Sequence, residues 1–206
     1  MIRAAALALL AAMPAGADAA EVALRAARPA TSPLQLHVEA RDGSWHVRVL
    51  DPGGVERQRF AVATEAPGMP PRLLDADGDG AADLWLPVTA GTANATFALW
   101  RMQPARAQFV PSGEILGSIF TLHPAGYLVA TARSGCCTTE HIFHRFAPDG
   151  VLARAFTLTR RRGPALPAAQ ACAAQAGTLV PPADLVQRLC APGADRPLPG
   201  KRLPVH

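Results

Sequence analysis

Two alternating segments near the start of the chain decide its fold: Leu34-Gln-Leu-His-Val-Glu39 and Trp45-His-Val-Arg-Val-Leu50. In each segment an apolar side chain occupies every second position, which is typical of a strand with one buried face. The turn signal Arg41-Asp-Gly-Ser44 joins the two segments, and its Asp-Gly pair favours a tight hairpin. A second turn, Asp51-Pro-Gly-Gly54, leads into a third strand over residues 57–63. The pattern therefore predicts a meander of three antiparallel strands.

Short strand candidates separated by turns continue from this meander to about residue 159. They cover residues 72–74, 83–88, 96–101, 108–110, 115–122, 127–132, 141–146 and 151–159. Many short strands at close spacing are typical of sandwiches and propellers. The predicted fold class is mainly β, an antiparallel β-sandwich or a propeller-like sheet array, with a short helical C-terminal tail.

The chain changes character after residue 162. Residues 168–176 and 183–190 are short helix candidates, and two prolines precede the second of them, where proline suits the start of a helix. Residues 193–206 are rich in Pro and Gly and are expected to be irregular. The sequence therefore predicts a helical and irregular C-terminal extension over residues 163–206.

The first twenty residues have the features of a signal peptide. Arg3 gives the positive start, residues 4–13 form a short apolar stretch, and Ala17, Ala19 and Ala20 offer small side chains for cleavage. The alternative is a buried N-terminal helix. No later stretch is long and apolar enough to span a bilayer, so we expect a periplasmic or secreted protein. The predicted mature β domain covers residues 21–162.

Composition excludes some classes of function. Half of the residues are hydrophobic, which favours a globular chain over a disordered one. The net charge is only +4, and the one dense basic cluster, Arg160-Arg-Arg162, has no interleaved aromatic residues. A nucleic-acid site needs a broader basic surface with stacking side chains. We therefore interpret Arg160-Arg-Arg162 as a solvated turn after a strand.

An acidic loop interrupts the strand pattern at Asp75-Ala-Asp-Gly-Asp-Gly-Ala-Ala-Asp83. Four carboxylates packed within nine residues repel one another unless a cation neutralises them. The flanking residues 72–74 and 84–86 alternate like strands, so the pattern predicts an ion that pins a strand–loop–strand turn. The alternative is an acidic surface turn that binds no metal.

The spacing within this loop predicts the ligands of the ion. They are four carboxylates and one backbone carbonyl: Asp75, Asp77, Asp79, Asp83 and the carbonyl of Ala81. Their order follows the start of the calcium loop in helix–loop–helix sensors, with Gly80 at the sharp turn. Oxygen ligands without His or Cys favour Ca²⁺ over Zn²⁺ or Cu²⁺. Leu86 replaces the bidentate Glu of a sensor, so we expect a structural ion and no signalling role.

Four cysteines in an exported chain predict disulfides. We favour a bond between Cys172 and Cys190, which would tie the two predicted tail helices together. The adjacent Cys136 and Cys137 are open to two interpretations, a vicinal disulfide or separate bonds to the tail cysteines.

The sequence contains no signature of a catalytic site, neither Gly-x-Ser-x-Gly, His-Glu-x-x-His nor a Gly-rich phosphate loop. A nucleophilic Cys136 or Cys137 assisted by His141 is the enzymatic alternative. An oxidising compartment disfavours a free thiol, so we predict that the chain is not an enzyme. His141 and His144 lie three positions apart, which separates them across a strand and disfavours a transition-metal site.

Several motifs in a fixed order give the chain a resemblance to a known family. They are the signal peptide, the Asp75–Asp83 loop, Ala98-Leu-Trp-Arg-Met102 leading to Phe109-Val-Pro-Ser112, and Gly126-Tyr-Leu128 followed by Arg133-Ser-Gly-Cys-Cys137. The combination resembles a periplasmic, calcium-dependent lysozyme-inhibitor family associated with bacteria-killing type IV secretion systems. The acidic loop also resembles the FG-GAP-like calcium loops of integrin-type propellers. The resemblance covers roughly residues 73–146.

This resemblance implies a loop that enters the cleft of a lysozyme. The corresponding segment here is Ser134 to Glu140, in which Ser134 and Gly135 would hydrogen-bond the catalytic carboxylates. Tyr127 would supply a rigid contact. The alternative is an ordinary hairpin turn with Tyr127 in the core.

Two functional hypotheses follow from these observations. The first is a monomeric, exported calcium-binding protein that inhibits a cell-wall lysozyme (a muramidase). The second is a general calcium-stabilised periplasmic β module that binds an envelope protein or a carbohydrate without catalysis. Inhibition of a muramidase distinguishes the two.

Overall fold

The computed structural model describes residues 21–163, 171–191 and 198–205. The predicted signal peptide therefore lies outside the described residues. Within these ranges, no helix is long and apolar enough to cross a membrane.

The described chain folds into three antiparallel sheets and one short helix. The first sheet consists of β1 (Glu21–Arg28), β2 (Thr31–Arg41), β3 (Ser44–Leu50) and β4 (Glu56–Ala63). The middle sheet consists of β5 (Arg72–Leu74), β6 (Asp83–Ala90), β7 (Ala95–Gln103) and β8 (Gln108–Gly117). Each of these sheets is a meander in which consecutive strands pair, as short hairpin connections favour.

The third sheet has six strands. Its meander is β9 (Ile119–His123), β10 (Tyr127–Ser134), β11 (Thr138–Phe146) and β12 (Leu152–Arg161). The C-terminal tail adds β13 (Cys172–Ala176) beside β12 and β14 (Lys201–Leu203) beside β9, with α1 (Ala183–Cys190) between them. The predicted class, a mainly β array of antiparallel sheets with a short C-terminal helix, is confirmed.

The middle sheet packs against another sheet on each of its faces. Leu84 and Leu86 of β6 face one way and pack with Leu36 and Val47 of the first sheet. Trp85, between them, faces the other way and packs with the third sheet. This two-sided burial explains why β6 reads as a nearly continuous apolar run. The outer face of the third sheet has a core of its own under α1.

The opening meander is confirmed by its register. Ser44 pairs with Arg41 across the predicted Asp-Gly turn, and Asp42 and Gly43 have φ values of 49° and 69°. Positive φ at both central positions is the requirement that Asp-Gly meets. The sequence analysis did not assign β1, which pairs with β2 and places Leu24 and Ala26 against the first core.

Three predictions for the C-terminal part of the chain, from residue 160 onward, are wrong. Residues 172–176, expected within a helix, form β13, because the open edge of β12 offers backbone hydrogen bonds that outweigh the helix propensity of alanine. Residues 168–170 of that predicted helix lie outside the described part. Residues 201–203, expected to be irregular, form β14. The predicted solvated turn at Arg160-Arg-Arg162 is largely strand, since β12 extends to Arg161. The helix over residues 183–190 is confirmed.

Candidate metal site and exposed hairpin

The acidic loop connects β5 to β6, as the strand–loop–strand pattern predicts. Arg72, Leu73 and Leu74 pair with Trp85, Leu84 and Asp83, so the two ends of the loop are fixed side by side. Gly80 has a φ of 84°, a left-handed conformation that favours glycine, which confirms the sharp turn predicted there. The indole N–H of Trp85 donates to the carbonyl of Leu74 at 3.2 Å and ties the first residue before the loop to the core.

Three of the four predicted carboxylates meet at one point. Carboxylate oxygens of Asp75, Asp77 and Asp83 all lie within 4.8 Å of one another, and we call these residues the acidic triad. A divalent cation with ligand distances of 2.3–2.6 Å fits between oxygens at this spacing. The structure does not bring Asp79 into the triad, and its Oδ1 accepts the N–H of Ala81 at 2.7 Å. The predicted role of the Ala81 carbonyl stays a prediction.

Asp83 is the buried member of the triad. It is fully shielded from solvent, and its two oxygens accept the N–H groups of Ala76 and Met102, each at 2.8 Å. Burial raises the pKa of Asp83 to about 8 despite these hydrogen bonds, and the charges of Asp77 and Asp79 add to the rise. A cation in the triad would reverse this shift, because it stabilises the ionised carboxylate.

The neighbouring carboxylates show the same electrostatic conflict. Burial, and then the charge of Asp79, raise the pKa of Asp77. Arg101 offsets part of the negative charge, since its Nη1 lies 3.5 Å from Oδ2 of Asp77. Asp75 accepts the N–H groups of Gly78 and Gly80 at 2.6 and 3.0 Å, which holds its carboxylate in place.

Solvent can reach the acidic loop at Asp77 and Asp79, although Asp83 is shielded. Asp77 and Asp79 line an open cavity of about 500 Å³ together with Arg101 and Gln103. The three side chains that the structure brings together, Asp75, Asp77 and Asp83, offer only carboxylate oxygens as ligands. Hard oxygen donors on an accessible, preformed turn suit a hard divalent cation.

Two contributors to the site could not be found from the loop sequence. The Arg101 guanidinium and the Met102 N–H both come from β7, which lies next to β6 in the middle sheet. They are 24 and 19 positions from the carboxylates that they contact. No local spacing signals such contacts, because strand pairing creates them.

The segment predicted to enter a lysozyme cleft is the hairpin between β10 and β11. Ser134 pairs with Thr138, and the turn between them, Gly135-Cys-Cys137, is exposed. Gly135 has a φ of 73°, so the tip uses a conformation that favours glycine. Glu140 lies in β11 opposite Ala132 and is partly exposed. We call Ser134 to Thr138 the hairpin tip.

Cys136 and Cys137 form a vicinal disulfide at the hairpin tip. Cys172 and Cys190 form the second disulfide, as predicted, but it joins β13 to α1 and does not join two helices. No described cysteine is free. The alternative in which Cys136 or Cys137 acts as a nucleophile needs a free thiol, and both side chains are in a disulfide.

A neighbouring hairpin braces the hairpin tip. The side-chain amide of Asn94, in the turn between β6 and β7, donates to the carbonyl of Arg133 at 2.8 Å. Its Oδ1 accepts the N–H of Arg133, also at 2.8 Å. On the other side, the N–H of Arg162 donates to the carbonyl of Cys137 at 2.8 Å. The tip is therefore anchored to two other parts of the molecule.

Tyr127 lies in the core and not on the binding surface. It is 5 % exposed and packs edge-on against Phe143 and Phe156, with ring centroids 5.6 and 5.3 Å away. Arg145 covers its ring at 4.4 Å. This arrangement corresponds to the alternative that keeps Tyr127 in the core, so a direct contact to a partner rests on the hairpin tip and Glu140.

The two histidines that could suggest a metal site lie on opposite faces of β11. His141 lies on the outer face of the third sheet, where its Nδ1 is 3.0 Å from Oγ1 of Thr131. His144 pairs with Leu128, whose side chain packs against the middle sheet. In the part of the chain that the structure describes, the acidic triad is the group whose ligand atoms converge.

Comparison with protein-family models, with curated proteins and with solved structures finds no match to this chain.

Proposed function

We propose that this chain is an exported calcium-binding protein that inhibits a cell-wall lysozyme through its hairpin tip. The observation that carries the proposal is an exposed tip that contains a vicinal disulfide, accepts a hydrogen bond from Arg162 at Cys137, and follows Arg133, whose backbone is held by Asn94. A binding loop that is ordered before association loses less conformational entropy when it binds. The resemblance gives the class of the partner.

The chemistry of the tip suits the cleft of such an enzyme. Glycoside hydrolases use a pair of Asp or Glu carboxylates on either side of the scissile bond. Ser134 offers a hydroxyl donor, and Arg133, exposed beside it, offers a guanidinium. Hydrogen bonds from these donors to the two carboxylates would occupy the acid and the nucleophile or base at once.

Close contacts must supply most of the affinity. The net charge of +4 gives no long-range attraction to a cationic lysozyme. A charged hydrogen bond in a desolvated cleft is worth more than one in water, so a few tip donors can carry a specific complex.

Calcium is the ion that we propose for the acidic triad. The supporting observations are three converging carboxylates, a buried Asp83 and an accessible turn. Calcium accepts six to eight oxygen ligands in flexible geometry, whereas Mg²⁺ demands a near-ideal octahedron. The ion would connect β5 to β6 and so stabilise the middle sheet that lies below the Asn94 turn.

The first experiment tests the ion by itself. The mature, oxidised protein is melted in excess Ca²⁺, in the same concentration of Mg²⁺ and in EDTA. We expect the highest melting temperature in Ca²⁺, because an ion that binds only the folded state stabilises it by mass action. Equal melting temperatures in Ca²⁺ and EDTA would remove the calcium proposal.

The second experiment tests inhibition. Turnover of a panel of muramidases, including any encoded beside this gene, is measured with the mature protein in Ca²⁺. We expect inhibition that Ser134→Ala weakens about tenfold, since the variant lacks one donor to a charged group. Ser44→Ala, at the hairpin of the first sheet, is the matched control and should inhibit like the parent. Absence of inhibition across the panel would sink the inhibitor proposal.

The general calcium-stabilised module predicts a different combination of results. It predicts a calcium-dependent melting temperature together with unchanged turnover of every muramidase. The two experiments therefore separate the two functions, because only the inhibitor requires the hairpin tip.

A further inference from the structure

A polar pocket lies on the outer face of the third sheet. It has a volume of about 430 Å³ and lies where β9, β10, β11 and β12 meet the C-terminal tail. Register places Ile119, Thr131, His141 and Leu158 in one row across four neighbouring strands. The first three of these residues line the pocket, and Leu198 and Gly200 of the tail line it from above.

Positive charge is concentrated at this pocket. Arg160 and Arg162 line it from β12 and the residue that follows it, and Arg202 lines it from β14. None of its described lining residues is an Asp or a Glu. A guanidinium has five N–H donors in a planar fork, so one that already has a partner can still donate to an anion.

The floor of the pocket is neutral and rich in hydroxyl groups. Thr121 and Thr131 are nearly buried there, and Thr139 lies beside Arg160 in the register of β11 and β12. Burial, and then the charge of Arg160, lower the pKa of His141 to about 4. His141 is therefore uncharged at neutral pH and offers a ring nitrogen as a further hydrogen-bonding group.

We propose that this pocket binds a small organic anion whose carboxylate or phosphate group is carried on a hydroxylated, sugar-like body. The guanidinium groups of Arg160, Arg162 and Arg202 bind the anionic group, in the bidentate geometry that Arg favours for carboxylate and phosphate. The threonine hydroxyls bind the hydroxyl groups of the body. Ile119 and Leu198 provide apolar surface for its carbon face.

This pocket is separate from the acidic triad and from the lysozyme proposal. It lies on the outer face of the third sheet, whereas the triad lies in the middle sheet. Its size is in the range of small-molecule sites, and it combines a few apolar walls with converging polar groups. The inference therefore stands whether or not the chain inhibits a lysozyme.

The test uses the full mature chain, oxidised and in saturating Ca²⁺, at constant ionic strength. Glucuronate and glucose 6-phosphate are titrated in separate calorimetric experiments, and glucose is the neutral control. We expect saturable binding of at least one of the two anions and none of glucose. The comparison of the two anions tells which anionic group the pocket takes.

Matched arginine variants locate the binding. Arg160→Gln and Arg202→Gln should each weaken binding about tenfold or more, because each removes a charged donor. Arg161→Gln and Lys201→Gln remove neighbouring charges that do not line the pocket, and they should bind like the parent. Melting temperatures of all four variants identify any variant that fails to fold.

The imidazole of His141 gives a second readout that does not depend on a variant. An anion bound beside His141 should raise the pKa of His141, followed by NMR of its ring protons during a pH titration. Binding of glucose as tight as that of the anions, an equal loss in Arg161→Gln and Arg160→Gln, or an unchanged His141 titration in saturating anion would overturn the proposal.

Discussion

Asp83 is completely shielded from solvent, although its carboxyl group is ionisable. Two backbone N–H groups do not compensate for the loss of water, which is why its pKa rises to about 8. A bound cation would supply the missing compensation. Binding of an ion at Asp83 would therefore also stabilise the fold.

The first prediction concerns this residue. Asp83→Asn should abolish most of the rise in melting temperature that Ca²⁺ produces, because the amide keeps the shape of the side chain and removes its charge. The measurement is the difference in melting temperature between Ca²⁺ and EDTA for parent and variant. Asp149→Asn, the same change in an exposed turn, should keep the full difference. A full calcium effect in Asp83→Asn would contradict the assignment of the triad.

For individual residues, part of the site can be predicted from the sequence. The crowding of Asp75, Asp77 and Asp83 is local, and repulsion among neighbouring carboxylates can be read from spacing alone. The departure of Asp79 from the triad could not be read, since it depends on whether its oxygen accepts the Ala81 N–H. The burial of Tyr127 depends on rings from β11 and β12 that are distant in sequence.

Among the structural elements, the hairpin between β10 and β11 is held by the neighbouring turn between β6 and β7. The side chain of Asn94 makes two hydrogen bonds to the backbone of Arg133, one as donor and one as acceptor. These bonds join the turn between β6 and β7 in the middle sheet to the third sheet. The brace is therefore a contact between sheets and not within one.

The second prediction concerns this brace. Asn94→Ala should speed hydrogen exchange of the Arg133 amide about fivefold, since a neutral hydrogen bond contributes about 1 kcal/mol. The measurement is native-state exchange followed by NMR. Amides of the distant pair Val38 and Val47, in the first sheet, serve as internal controls and should exchange at the parent rate. An unchanged Arg133 amide would show that the side chain does not brace the hairpin.

The third prediction concerns the tail. Replacing Cys172 and Cys190 with Ser should lower the free energy of unfolding by about 3 kcal/mol, because their bond closes a loop with a sequence separation of 18. Urea unfolding under two-state conditions measures this loss. Replacing Cys136 and Cys137 with Ser is the control, since adjacent residues close almost no loop and the unfolded chain is hardly constrained. Equal losses in the two double variants would contradict the loop argument.

The sequence predicts strands correctly where apolar and polar side chains alternate clearly. The prediction fails where pairing with a neighbouring strand determines the secondary structure. β2 and β3 alternate clearly and were predicted. Alanine-rich β13 has no such pattern, and it is a strand because β12 leaves an edge open beside it. β14 is only three residues long, and its place beside β9 reflects the path of the tail.

For the molecule as a whole, the buried side chain of His144 makes stability depend on pH. Burial, together with the charge of Arg154, lowers the pKa of His144 to about 4. An unfolded chain would protonate this side chain near its ordinary pKa of 6.5, so the unfolded state binds more protons between these two values. Stability contributed by neutral His144 is complete above pH 6.5 and is lost as the pH falls toward 4.

The fourth prediction follows from this sign. Between pH 7 and pH 4, the His144 contribution to the free energy of unfolding should fall by about 3 kcal/mol, at about 1.4 kcal/mol for each unit of pKa. Urea unfolding of the parent and of His144→Leu at both pH values measures it, and the variant should lose less stability on acidification. Val47→Ala changes a buried side chain of β3 that does not titrate, and it should keep the slope of the parent. Equal slopes in parent and His144→Leu would contradict the prediction.

The middle sheet packs against another sheet on each face, and this has a consequence for how the protein responds to its surroundings. A disturbance of β5 or β6 is felt by both hydrophobic interfaces at once, whereas a disturbance of an outer sheet is felt by one. The acidic loop is the connection between those two strands. If a divalent cation binds the acidic triad, its concentration would set how firmly both outer sheets are held, and removal of the ion would loosen the molecule from its centre outward.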